Sequence, residues 1–148
     1  MTNDALPERT FTALLDELIP ARDPSLPGAG SLGIGKIIEP KLGDQAALVA
    51  AGLAALDAQS RERGATDFVD LPPGERASIV GEVTTAHPGF IEFLVFQAYT
   101  TYYQNPRVTV ALGLGPDPPY PDGFELEEGD LGLLDPVRQR DKKMYRDA

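Results

Sequence analysis

The sequence predicts an all-α protein: a compact bundle of about five or six helices with a long Gly/Pro-rich irregular arm near the C-terminus. Apolar residues recur at three- and four-residue spacing in one segment after another. Proline and glycine cut the chain into helix-sized pieces. No run of alternating apolar and polar residues is long enough for a strand with a partner. "VTVAL", residues 108–112, has strand character, but a lone strand has nothing to pair with.

The first helix shows in Phe11, Leu14, Leu15, Leu18 and Ile19, an apolar stripe that Pro20 ends, because proline has no N–H to donate. "ARDPSLPGAGSLG" is a connection rich in breakers. Ser31 is placed to cap a short helix through Ile34, Ile37 and Ile38, which Pro40 kinks or ends. Asp44 is placed to cap the next helix, "QAALVAAGLAALDAQSRER", with Gly64 as its stop. The alanine-rich body of that helix lets a neighbour come close. "LPPGERASIVGEV" reads as a proline-initiated helix with Ile79, Val80 and Val83 inward. From Pro88 to Gln104 the chain is apolar over more than one face, which marks a central helix or one covered by something else. A short helix follows from Arg107 to Leu112. Asp135-Pro136 then looks like the cap and first turn of a basic helix, "VRQRDKKMYRD". The expected organisation is a helical domain over 1–112, an arm over 113–135 and a basic helix or tail over 136–148.

Composition excludes several function classes. The net charge of −10 argues against nucleic acid, since phosphate binding needs a basic face. With no cysteine there is no disulfide framework, thiolate nucleophile or Cys-type zinc site. No segment approaches the roughly 18 apolar residues of a membrane span, so no membrane insertion is expected. The N-terminal residues show neither a signal-peptide pattern nor a twin-arginine pair, and the expected location is cytoplasmic.

The motifs that carry chemistry elsewhere lack their context here. "GAGSLG", Gly28 to Gly33, has the G-x-G-x-x-G spacing, and "GSLGIGKI" nearly has that of a P-loop. Both need a preceding strand, and Ile37 stands where a P-loop places Ser or Thr. His87 is the only histidine and has no second His or Cys to share a metal. "DGFELEEGD" lacks the calcium-loop pattern, and no serine stands in G-x-S-x-G. No catalytic, cofactor-binding or metal-binding residue is assigned.

The aromatic segment is different. Tyr99, Tyr102 and Tyr103, at i, i+3 and i+4, share one side of a helix. They form either a lid on the core or a docking shelf, since tyrosine suits interfaces where an apolar body meets a polar rim. The arm "LGLGPDPPYPDGF", stiffened by its prolines, loses less entropy when it lies along a partner. Pro118, Pro119 and Tyr120 are its candidate contacts.

Two blocks of the chain carry a resemblance. "FTALLDELIPARDPSLPGAGSLGIGKIIEPKL" resembles the opening of the gluconate 2-dehydrogenase subunit 3 family: a helix ending in "liP", an acidic-Pro loop, "PGA", then a short Gly-containing helix. "TYYQNPRVTVALGLGPDPPYP" is similar to the family's C-terminal pattern, in which "YY-x-NP" leads to "aLG" and a Gly/Pro stretch. The resemblance implies a noncatalytic accessory role. Members are small subunits of FAD-dependent dehydrogenases of the glucose–methanol–choline type, which act on sugars, polyols and related alcohols. The large subunit carries flavin and catalytic residues; the small one binds and stabilises it, and often carries the twin-arginine signal that exports both. Many complexes add a cytochrome c subunit. Export escort, periplasmic location and the cytochrome partner are what this sequence, lacking that signal, does not support.

The resemblance thus implies no cofactor in this chain and FAD in a large-subunit partner. Tyr102, Tyr103, Asn105, Pro106, Leu112 and Gly113 match the family's C-terminal motif. With Tyr99 and the arm residues they are the candidate partner-binding set, and the variant expected to separate docking from folding joins Tyr102→Ala to Tyr103→Ala. The alternatives are an independent homo-oligomeric interaction protein using the same surface on itself, and a small stand-alone enzyme built on His87 and nearby carboxylates.

Overall fold

A computed structural model of the chain describes residues 6–22, 24–115 and 129–139. Those residues hold seven α-helices and no strand, so the all-α expectation stands. The chain divides into two units, Met1–Asp117 and Pro118–Ala148.

The first unit is built around α1, Glu8–Leu18, which buries Phe11, Leu14 and Leu15. Each such side chain contributes about 1.5–3 kcal/mol relative to leaving it in water. Around α1 pack α2 (Gly35–Ile38), α3 (Ala46–Glu62), α4 (Pro73–Ala86) and α5 (Phe90–Tyr103), and α6 (Pro106–Ala111) adds to the end of α5. "VTVAL" is therefore helical, with Val108 turned into the core. Asn105 explains the start of α6: its Oδ1 accepts the Arg107 N–H at 3.0 Å. At the other end of α3, Gly64 at φ 86° donates to the Arg61 carbonyl and Ala65 to that of Ser60. This closing pair is the one expected of a glycine stop.

Two expected caps are absent. Ser31 lies inside a 3-10 turn, Gly30–Leu32, and its hydroxyl donates back to the Gly28 carbonyl. Asp44 lies inside another, Gly43–Gln45, and caps nothing. The residues that do precede α2 and α3, Ile34 and Gln45, already have helical dihedrals. Backbone carbonyls accept the N–H groups a side chain would otherwise take: Gly33 and Ile34 those of Lys36 and Ile37 in α2, and Gly43 of the preceding 3-10 turn that of Ala46 in α3. Of the three isoleucines of this segment, Ile34 and Ile38 are fully buried and Ile37 is exposed.

Polar groups tie the core elements together. Asp57 on α3 is buried, and its Oδ1 accepts from the Thr10 hydroxyl at 2.7 Å and the Phe68 N–H at 3.1 Å. One carboxylate thus joins α1, α3 and the 3-10 turn Phe68–Asp70. Asp57→Ala is expected to cost about 2–4 kcal/mol, because both donors are left buried without an acceptor. A urea midpoint that barely moves would show that water replaces the carboxylate without loss. Arg76 on α4 reaches Glu17 on α1 at 2.6 Å, a half-buried pair across the same seam.

In the second unit, a 3-10 turn at Leu131–Leu134 is capped by Asp130, which accepts the Gly132 N–H at 2.9 Å, and leads into α7, Asp135–Arg138. Asp135 is the first residue of α7 rather than its cap. The remainder of the expected basic helix, and most of the expected arm, lie outside the described residues.

Candidate functional site

The two glycines of "PGAG" answer the phosphate-loop question. A Cβ on Gly28 would meet the Asp16 carboxylate, and one on Gly30 would meet both the Thr12 carbonyl and Asp16. The loop lies directly on α1, and Asp16 Oδ1 accepts the Gly30 N–H at 2.8 Å and the Ser31 N–H at 3.4 Å. The backbone donors that a phosphate would need are turned to a carboxylate of the protein itself. Glycine is required here for close approach, not for anion binding.

That loop is also gripped from the far side. The Tyr102 hydroxyl donates to the Pro27 carbonyl at 2.9 Å, joining the end of α5 to a loop 75 residues earlier. Tyr102 is 4% exposed and belongs to the core with Leu94, Ala98 and Thr101 of the same helix. It therefore packs the domain itself, and the pairing of Tyr102 with Tyr103 as a docking variant does not suit this geometry. Tyr102→Phe, which removes the hydroxyl alone, is expected to lower stability by about 1 kcal/mol. Chemical denaturation checks it, and no loss would mean that the Pro27 carbonyl is equally well served by water.

Tyr99 and Tyr103 face outward, 45% and 49% exposed, and Phe96 extends the same stripe at 68%. Phe96, Tyr99 and Tyr103 stand at i, i+3 and i+7, one line along α5. The Tyr99 and Tyr103 rings are tilted at 45° with centroids 5.9 Å apart, and Tyr103 meets Tyr102 edge-on at 5.2 Å. Tyr103 is thus held in place by a buried ring while offering its own to solvent.

Between this aromatic end of α5 and the end of α1 lies a groove of about 340 Å³. One wall is Leu18, Ile19 and Pro20 with Arg22 and Leu26 of the loop; the other is the three tyrosines with Leu112. A shallower depression beside it is lined by Ser25 and by Pro106, Arg107, Val110 and Ala111 of α6. No described carboxylate lines either one.

The remaining candidates scatter around this surface. Asn105 is half-buried and serves as the α6 cap, Pro106 is its exposed first residue, and Gly113 is exposed at φ 78°. Pro118, Pro119 and Tyr120 lie outside the described residues. The wall formed by Leu18, Arg22 and Leu26, and the outward Phe96, were not among the residues chosen from the sequence. The signal for the wall was present in the breaker-rich loop, read there only as a connection. His87 is half-buried at the α4–α5 corner, where its carbonyl accepts the Phe90 N–H. Among the described residues no cluster of three or more His, Cys, Asp or Glu is placed to hold a metal ion. Among the described residues the one clear pKa displacement lies elsewhere: Glu82 is held below the ordinary carboxylate value, chiefly by its hydrogen bond from Arg63.

Residues 7–112 match the family described as Gluconate 2-dehydrogenase subunit 3, a span that includes every residue lining the groove. No curated protein and no solved structure matches the chain.

Proposed function

Because the chain belongs to the gluconate 2-dehydrogenase subunit 3 family, we propose that it is the noncatalytic small subunit of an FAD-dependent sugar or alcohol dehydrogenase. It binds the flavin-carrying large subunit and supports its folding and activity. The observation that carries the reading is the outward aromatic stripe Phe96–Tyr99–Tyr103 beside an apolar groove, on a domain that already has a complete core of its own. Rings of this kind are the usual anchors of protein interfaces. An obligate interface built on them would bury upwards of roughly 2,000 Å² in total.

The test is affinity purification of the tagged chain from its native extract, followed by the visible spectrum of the eluate and a screen of sugars and polyols with an artificial electron acceptor. A flavin spectrum, one large co-eluting chain and substrate-dependent reduction are expected. A colourless chain eluting alone, or as a stable dimer, would overturn the proposal.

A further inference from the structure

We infer that the groove between α1 and α5 receives an extended segment of the partner subunit that carries a carboxylate next to an apolar side chain, with Arg22 as the group that reads the carboxylate. The inference rests on the subunit reading above and adds the chemistry of what is recognised.

Charge is the first argument. The chain carries 23 acidic side chains against 13 Lys and Arg, yet the charged groups lining the groove and its neighbouring depression are Arg22 and Arg107. These two cations face a surface without a described carboxylate, on a protein that is otherwise strongly acidic. Neither arginine forms an ion pair among the described residues; Arg61 forms none either, whereas Arg9, Arg63, Arg76 and Arg138 all do. A guanidinium kept clear of internal partners in this setting is suited to an external anion, and its planar fork matches a carboxylate through two parallel hydrogen bonds.

Shape is the second. The groove lies near the low end of the roughly 300–1,000 Å³ that enclose small ligands, with a volume of about 340 Å³. Its walls beyond Arg22 are aliphatic and aromatic, which asks for an apolar side chain beside the charge. Tyr102 fixes the position of one wall through Pro27, so the site exists before the partner arrives. A second copy of this chain fits less well, since two molecules each of charge −10 repel one another.

The experiment uses the purified complex and measures the affinity between the two subunits. Arg22→Gln is expected to weaken it at least about thirtyfold, and Arg22→Lys to restore part of the loss by returning the charge without the fork. Unchanged melting of both variants alone would show that the effect is on docking, Arg22 being exposed in the free chain. In the same complex, a photo-crosslinking residue at Leu112 should capture a peptide of the large subunit containing Asp, Glu or the chain's terminal carboxylate. A complex that forms but is indifferent to Arg22→Gln overturns the inference and leaves the subunit reading standing. Capture of a peptide without a carboxylate, or of a second copy, does the same. Failure of the unaltered chain to bind any flavoprotein overturns both.

Discussion

Joining Tyr99→Ala to Tyr103→Ala is expected to weaken binding of the large subunit by at least about a hundredfold, because buried aromatic anchors each contribute on the order of 2 kcal/mol or more to an interface. The same pair should cost the isolated domain little. Both rings are about half exposed, and what they lose within the chain is one tilted ring contact and one edge-on contact. Such contacts contribute about 0.5–1.5 kcal/mol each. Tyr102→Ala should behave in the opposite way, with a loss of about 3–5 kcal/mol typical of a large buried aromatic. Calorimetric melting of the free chain beside surface-immobilised binding of the large subunit separates the two. If the outward pair destabilised the domain as much as Tyr102→Ala does, the stripe would be part of the core and the docking reading would lose its anchor.

Gly52 should show a large stability effect from adding one methyl group. It lies on α3 where the fully buried Phe90 ring of α5 crosses, and a Cβ there would stand 2.5 Å from ring carbons. No ordinary contact is that short, so either the ring or the α3–α5 spacing must give. Overpacking of this kind costs about 1–3 kcal/mol, and Gly52→Ala is expected near the upper end. Phe90→Leu alone should also destabilise, by leaving a void under α3. Combined, the two should lose clearly less than their sum, since the smaller side chain makes room for the methyl group. Simple additivity in a denaturation cycle would mean that the helices slide rather than clash.

Much of this fold was legible in the sequence, and the parts that were not have a common cause. The stripe of α1 follows from apolar residues at helical spacing, and the glycine stop of α3 and the proline start of α4 each depend on one residue type at one position. The caps assigned to Ser31 and Asp44 depended on the chain being extended before each helix. Here it arrives already coiled in 3-10 turns, which no single residue announces. The tyrosines illustrate the limit for the site. Spacing placed Tyr99, Tyr102 and Tyr103 on one side of α5, but that side straddles the waterline. Tyr102 falls in register with Leu94, Ala98 and Thr101, and the other two with Phe96. Which register faced inward was set by α1 and the Pro27 loop, elements far away along the chain. The Arg22 wall was harder still, because a loop residue becomes part of a site only through what folds against it.

The Tyr102–Pro27 bond has a consequence for the timing of assembly. One wall of the groove is made early in synthesis and the other, ending at Leu112, is made late. A nascent chain halfway off the ribosome therefore has no groove to offer. Nor does a fragment cut short before α5. Any protein that recognises this surface would recognise a domain already folded through Leu112.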